Sequence, residues 1–332
     1  MAVDDGGRIG RIVENRIDFM EHQHALGPAQ YGRLSLWATT LLLSSLVLGE
    51  WLTKGCTFIV GRQRARGAAL AVAVAYSLLL GGLLLAASPV GLRLCARLLP
   101  GVTATQVYLM AGLISLTVLE KGILAILLGE ERLTAYALLP IAFACAYFGG
   151  NVLLDWTVGL TVDRVLGVWL VAVGLSSVVG CWLLARGGLP GLDGVGRTCA
   201  QMLRLGARAE VALVLTFLLL KSDVYLITWF LGEEAVGVYR VATNFTDMMQ
   251  RVPNVASVIL FAKVVRGQGS PRLSLRIGQT MALFAVGSAL VLVVFGPALL
   301  RVFFPRYPGA YVPLVWLLPG MLFMGIGSVF NA

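Results

Sequence analysis

A chain of 332 residues that is 58% hydrophobic and only 13% charged has too few charges for a soluble surface, since soluble domains carry about a quarter. Composition therefore excludes an ordinary soluble domain and predicts an all-α polytopic membrane protein. The net charge of +9, from 26 Lys and Arg against 17 Asp and Glu, is read as basic cytoplasmic loops facing anionic lipid rather than as a nucleic-acid site. The five cysteines, Cys56, Cys95, Cys145, Cys181 and Cys199, form no CxxC pair and are read as small buried hydrophobes.

In chain order, residues 1–25 form a polar segment. Asp4, Asp5, Arg8, Arg11, Glu14, Arg16, Asp18 and Glu21 leave no apolar run for a span or a signal peptide. His22 and His24 have no further His or Cys nearby, so a solvated tail rather than a metal site is expected. Nine mostly apolar runs follow at 34–60, 67–87, 105–129, 133–153, 164–185, 209–231, 236–262, 276–300 and 311–330. Each suits a membrane-spanning helix of about 20 residues, and no alternating pattern suggests a barrel. Between the fifth and sixth, GLPGLDGVG at 188–196 lacks the Lys-Ser/Thr ending and preceding strand of a phosphate loop. Residues 187–208 are expected to form a cytoplasmic linker, with the basic part after 196 lying along the inner membrane surface. The linker separates a first helical lobe at 26–186, with five spans, from a second at 209–332, with four.

Alternate loops hold twelve Lys and Arg on the side of Arg62, Arg132, Arg186 and Lys263, against five on the side of Arg93, Arg164 and Arg301. The bias places the Arg62 loop in the cytoplasm. An internal repeat supports two lobes: LGPAQYG at 26–32 matches LGEEAVG at 231–237, and Pro89, Leu92 and Arg93 return as Pro297, Leu300 and Arg301, at offsets of 205 to 208 residues. Each complete copy would hold six spans, so the lobes are expected to be parallel copies related by an axis along the membrane normal, an architecture of transporters far more than of enzymes. The alignment leaves the 209–231 span without a counterpart in the first copy and ends the second copy early. The chain is accordingly expected to be incomplete at both ends.

Ionisable residues within spans cost on the order of 3 kcal/mol each and mark functional positions. Glu50 and Lys54 lie in the first span, Glu120 and Lys121 in the third, and Lys221 and Asp223 in the sixth. In the seventh, Arg240, Asn244, Asp247 and Arg251 fall within about 60° on a helix, a polar stripe that cannot face lipid. Two readings stand: acid–base pairs at spacing four that hold helices together, or a central cavity lined from both lobes, which is preferred. Lys54, Lys221, Arg240, Asn244 and Arg251 are the candidate substrate residues, the cations suited to an anion such as a phosphate. Glu50, Asp223, Asp247 and Glu120 are candidate counter-ions, or couple transport to H⁺ or Na⁺; the sequence leaves both open. No metal site is predicted.

With these residues in view, the chain resembles the polysaccharide biosynthesis flippases, the O-antigen and exopolysaccharide translocases within the MATE-like MOP exporter superfamily. The resemblance rests on Leu26, Gly27, Tyr31 and Gly32; on Lys221, Ser222 and Asp223; on Phe230, Leu231, Gly232, Val236, Gly237 and Tyr239; and on Pro253 and LFAK at 260–263. It covers about 26–332 and is most specific over 221–253. It implies a multi-pass protein of a bacterial cytoplasmic membrane, without a cofactor. The implied activity is flipping of an undecaprenyl-diphosphate-linked glycan by alternating access, alongside polysaccharide polymerase or export machinery. Two alternatives are a MATE-type small-molecule or cation antiporter, expected to have an acid-dominated cavity, and a membrane-embedded glycan polymerase or glycosyltransferase. The enzyme is disfavoured because such catalysts need an acidic or basic constellation on a large outer loop. Asp155 with Asp163 is the one outer acid pair, and it is read as interfacial helix ends.

Overall fold

A computed structural model describes residues 26–63, 65–98, 102–186, 195–265 and 271–330. Among these, nine α-helices are joined by short connections: α1 (Pro28–Gln63), α2 (Arg66–Leu98), α3 (Ala104–Gly129), α4 (Leu133–Thr157), α5 (Val162–Ala185), α6 (Val195–Leu231), α7 (Glu233–Val265), α8 (Pro271–Phe303) and α9 (Tyr311–Phe330), with a 3-10 turn at Pro308–Ala310. They stand where the nine apolar runs stand. Six of them, α1 to α5 and α8, are long and apolar enough to cross a membrane among the described residues. Of the others, α6 carries Lys221 and Asp223, and α7 carries Arg240, Asp247 and Arg251. The described apolar stretch of α9, Tyr311–Met324, is short. The segment 1–25, the stretch 187–194 and the side chains of 253–274, including Pro253 and Lys263, lie outside the described residues.

The chain packs as two compact units, one of Leu36–Phe230 and one of Leu26–Ser35 with Leu231–Ala332. In the first, α3 is packed mainly against α2 and α5. Small residues let these backbones approach: Ser77 Oγ donates to Ser115 O at 2.6 Å while Ser115 Oγ donates to Ser77 O at 2.7 Å. Gly180 of α5 receives Ile123 of α3, and Gly122 lies against Ala73 and Leu52. With lipid outside, such close contacts and interhelical hydrogen bonds replace the hydrophobic drive that assembles soluble bundles.

Residues 195–208, expected within a linker, are instead the first turns of α6, which runs unbroken for 37 residues. Two glycine contacts hold it to α1: Met202, fully buried, sits on Gly55, and Gly206 sits on Trp51. Farther along, Tyr225 Oη donates to Thr40 Oγ1 at 3.2 Å. These contacts group α6 with the first unit, whereas the repeat groups 209–231 with the second lobe.

Helix ends follow local chemistry. Thr103 and Thr161 cap α3 and α5 by accepting from the amides of Gln106 and Arg164. At the other end of α3, Arg132 N donates to Leu127 O and Glu131 N to Leu128 O, both at 3.0 Å. This is a Schellman turn, which needs a left-handed residue where glycine is usual. Glu131 fills it at φ 58°. Gly232, at φ +85°, serves the turn from α6 into α7 without that cost.

In the second unit, α7 and α9 pack together with α8, around Ala242, Ala289, Leu292, Leu314 and Leu318. The first turns of α1 join this unit by touching α7 backbone to backbone. A Cβ on Gly32 would stand 1.8 Å from Glu233 O, and one on Gly237 would stand 2.0 Å from Pro28 O. Gly32 and Gly237 are equivalent positions of the repeat, 205 residues apart.

Gly237→Ala should therefore destabilise the protein by about 1–3 kcal/mol, the usual cost of overpacking, and lower the thermal unfolding midpoint of the purified protein in detergent. Glu131→Gly should shift that midpoint upward, by the equivalent of up to about 1 kcal/mol, because it relieves left-handed strain.

Candidate functional site

The polar stripe of α7 is defined by what lies opposite it. Ala242, Phe245 and Met249 face α8 and α9. At 100° per residue, Arg240, Asn244, Asp247 and Arg251 lie roughly half a turn away from that apolar face. Burying 242, 245 and 249 thus turns the stripe away from the core of its own unit. All four stripe residues are half-buried.

Asn244 of the stripe has a partner on α1. Asn244 Nδ2 donates to Tyr31 Oη at 3.0 Å. Tyr31 stands edge-on to Tyr307, with ring centroids 6.1 Å apart, and Tyr307 Oη donates to Leu26 O at 3.1 Å. Burial pushes the Tyr307 phenol above its ordinary pKa, Tyr31 adds to the rise and Arg306 opposes it, so the hydroxyl keeps its proton and remains a donor. Beside this chain of contacts, Arg33 grips Glu233 with two donors: Nε lies 3.0 Å from Oε1 and Nη2 lies 2.8 Å from Oε2. Glu233 is in the first turn of α7, where the helix dipole also favours a carboxylate. The forked geometry and partial burial make this a stronger pair than a surface ion pair.

The remaining candidates belong to the first unit. Glu120 is turned to α5, where it accepts from Ser176 Oγ. Its neighbour Lys121 is turned to α1, where Nζ donates to Ser45 Oγ at 3.0 Å. Adjacent residues on a helix point about 100° apart, so the two serve different interfaces. Glu50 is half-buried and Lys54 exposed, and no ion pair within 4.0 Å joins them among the described residues. Asp223 Oδ1 accepts from Val224 N at 2.8 Å. Lys221, Asp223, Asp247 and Arg251 all have partners, so none of them is free. A cavity of about 400 Å³ lined by Val60, Gly61, Gly129, Glu130, Glu131 and Arg132 contains none of the candidates. Asp163 is occupied structurally, accepting from Gln106 Nε2 at 2.6 Å, while Gln106 Oε1 accepts from Trp37 Nε1 at 3.2 Å.

Sequence reasoning missed Arg33, Glu233 and Tyr307. Their signal was present in part, since Arg33 follows Gly32 and Glu233 lies within the matching turn. What was lacking was that the two repeat turns touch. Also missed was Glu130, held by Arg66 at 2.8 Å and Arg132 at 3.2 Å.

No protein-family model matches the sequence, and no curated protein is similar to it at a significant level. Solved structures do match. A multidrug resistance MATE family transporter of the MOP superfamily in an inward-facing conformation aligns with TM-score 0.66 and 16% identity, over 96% of this chain and 82% of that one. An outward-facing conformation aligns with TM-score 0.65 and 16% identity over 99% and 82%. A MOP superfamily transporter from Pyrococcus furiosus, described as having a reversed polarity of its binding pocket, aligns with TM-score 0.53 and 16% identity over 98% and 81%. This chain shares the fold of these proteins. It is a multi-pass membrane protein.

A double-mutant cycle on Arg33→Gln and Glu233→Gln should give a coupling of about 1 kcal/mol or more in thermal unfolding, above the usual range for exposed pairs. Additive single effects would show that the pair contributes nothing.

Proposed function

We propose that the protein is a transporter that flips a lipid-linked oligosaccharide, a polyprenyl-diphosphate glycan, across a bacterial cytoplasmic membrane by alternating access, in surface polysaccharide biosynthesis. The observation that carries this reading is the α7 stripe, two arginines with Asn244 and Asp247, turned away from the core of its unit in a chain with the MOP fold. Charge of this kind inside a membrane protein marks a substrate or ion path. Arg240 and Arg251 would contact diphosphate oxygens through their forked guanidinium groups, with Asn244 as a neutral donor. Asp247, on the same stripe, would neutralise these arginines between cycles or carry H⁺ or Na⁺. The product would pass to polysaccharide polymerase or export machinery on the far side.

A second reading, a MATE-type small-molecule or cation antiporter, is favoured by the fold neighbours described as multidrug resistance transporters. The acids of the same helices would then bind the cationic substrate.

Both are tested in one strain set. In a strain lacking a related flippase, the chain should restore surface glycan. Arg240→Gln with Arg251→Gln, at equal membrane expression, should lower restoration about tenfold or more, since each hydrogen bond to a charged group contributes about 1.5–3 kcal/mol. Normal restoration by the doubly neutralised protein would remove the arginines from the site. Raised drug resistance in an efflux-deficient strain, without restored glycan, would favour the antiporter.

A further inference from the structure

The first unit has two chemically different ends. At one end lie the termini of α1, α3 and α5 and the starts of α2, α4 and α6, tied together by Gln63 Nε2 to Gln201 Oε1 at 3.2 Å, Arg66 to Glu130 at 2.8 Å and Arg132 Nη1 to Leu183 O at 3.1 Å. Arg62, Arg186, Arg197 and Arg204 are exposed there. The opposite end carries Asp155 and Asp163 beside Arg93 and Arg164.

Two helices finish at the basic end with the same device, an aromatic ring and an arginine four residues later. On α1 the Arg62 guanidinium lies 5.7 Å from the centroid of Phe58, and on α5 that of Arg186 lies 3.5 Å from the centroid of Trp182. Phe58 is 41% exposed and Trp182 49%. On α5 the ring continues an exposed stripe of Val171, Leu175 and Val178, which shares one face at helical spacing. The opposite face, with Val165, Val173 and Gly180, is buried in the bundle. Outward along α5 the order is thus aliphatic, aromatic, cationic, which is the order of acyl chain, interface and phosphate in a lipid leaflet. Arg132, nearby, is neutralised by Glu130, whereas no described carboxylate pairs with Arg186.

We propose that this end of the first unit is a binding site for anionic phospholipid, with the phosphate held by Arg186 on its Trp182 platform, the acyl chains along the α5 stripe, and Arg62 on Phe58 as a second contact. A guanidinium held over a ring face keeps N–H donors available at its own edge, so Arg186, 3.5 Å from the Trp182 centroid, is pre-organised for a phosphate. The inference rests on the membrane reading alone and is independent of the transported substrate.

The test uses the full chain purified in micelles containing equal amounts of phosphatidylglycerol and phosphatidylcholine, with bound lipid counted by native mass spectrometry. Phosphatidylglycerol should be enriched on the wild type, and Arg186→Gln should lower the enrichment about fivefold, the expected effect of one basic residue at an anionic surface. Arg62→Gln should lower it less, and Arg93→Gln, at the far end, should leave it unchanged. Should Arg186→Gln fail to fold, Arg186→Lys keeps the charge at the helix terminus and should still lose part of the enrichment with the stacked fork. Equal binding of the two lipids by the wild type, or enrichment untouched by both Arg186 variants, overturns the site. Loss of enrichment in Arg240→Gln with Arg251→Gln, while Arg186→Gln retains it, would assign the bound lipid to the transport residues and likewise overturn it.

Discussion

Two helix starts touch at Gly32 and Gly237, with each backbone against the other, and much of the second unit depends on that contact. A side chain at either position would force these helix starts apart, and with them the Arg33 fork to Glu233 and Asn244 to Tyr31. The contact also explains why α1, one unbroken helix of 36 residues, is divided by its packing. Its first turns are held by α7, and the remainder by α3 and α6 through Trp37, Thr57, Gly55 and Trp51. A glycine pair is a suitable tool here, since apolar side chains gain little by leaving lipid for one another.

The first unit applies the same physics with different residues. Paired serines on α2 and α3 exchange hydrogen bonds, and glycines on α1 and α6 accept Met202 and Trp51. Polar groups with no access to water must find partners within the protein, and the chain of Trp37, Gln106 and Asp163 ties three helices in that way. Glu120 with Ser176 and Lys121 with Ser45 are of the same kind. A charge in a span is therefore not by itself a transport residue, because some charges are engaged in joining neighbouring helices.

The α7 stripe differs from those internal ties. It stands opposite the apolar core of its unit, and from it Asn244 donates to a tyrosine of α1. The basic end of the first unit differs again, because two of its arginines lie over exposed rings at helix ends. Among the described residues, charge is thus found in helix-joining pairs, in a stripe turned from the core of its unit, and in exposed arginines at the basic helix ends.

The sequence by itself determined the class and the helices, because a run of about 20 apolar residues has one stable state in lipid, with its backbone bonds satisfied internally. It also determined the stripe, since 3.6 residues per turn fixes which side chains share a face. Tertiary structure alone decided which faces meet. That Gly32 meets Gly237, that Arg33 finds Glu233, that 195–208 is helix rather than linker, and that Glu120 turns to Ser176 all depend on the approach of segments far apart in the chain. The physical reason is that periodicity is a local property, whereas a close contact between helices requires small residues on both partners at the same height, and a single helix carries only half of that information.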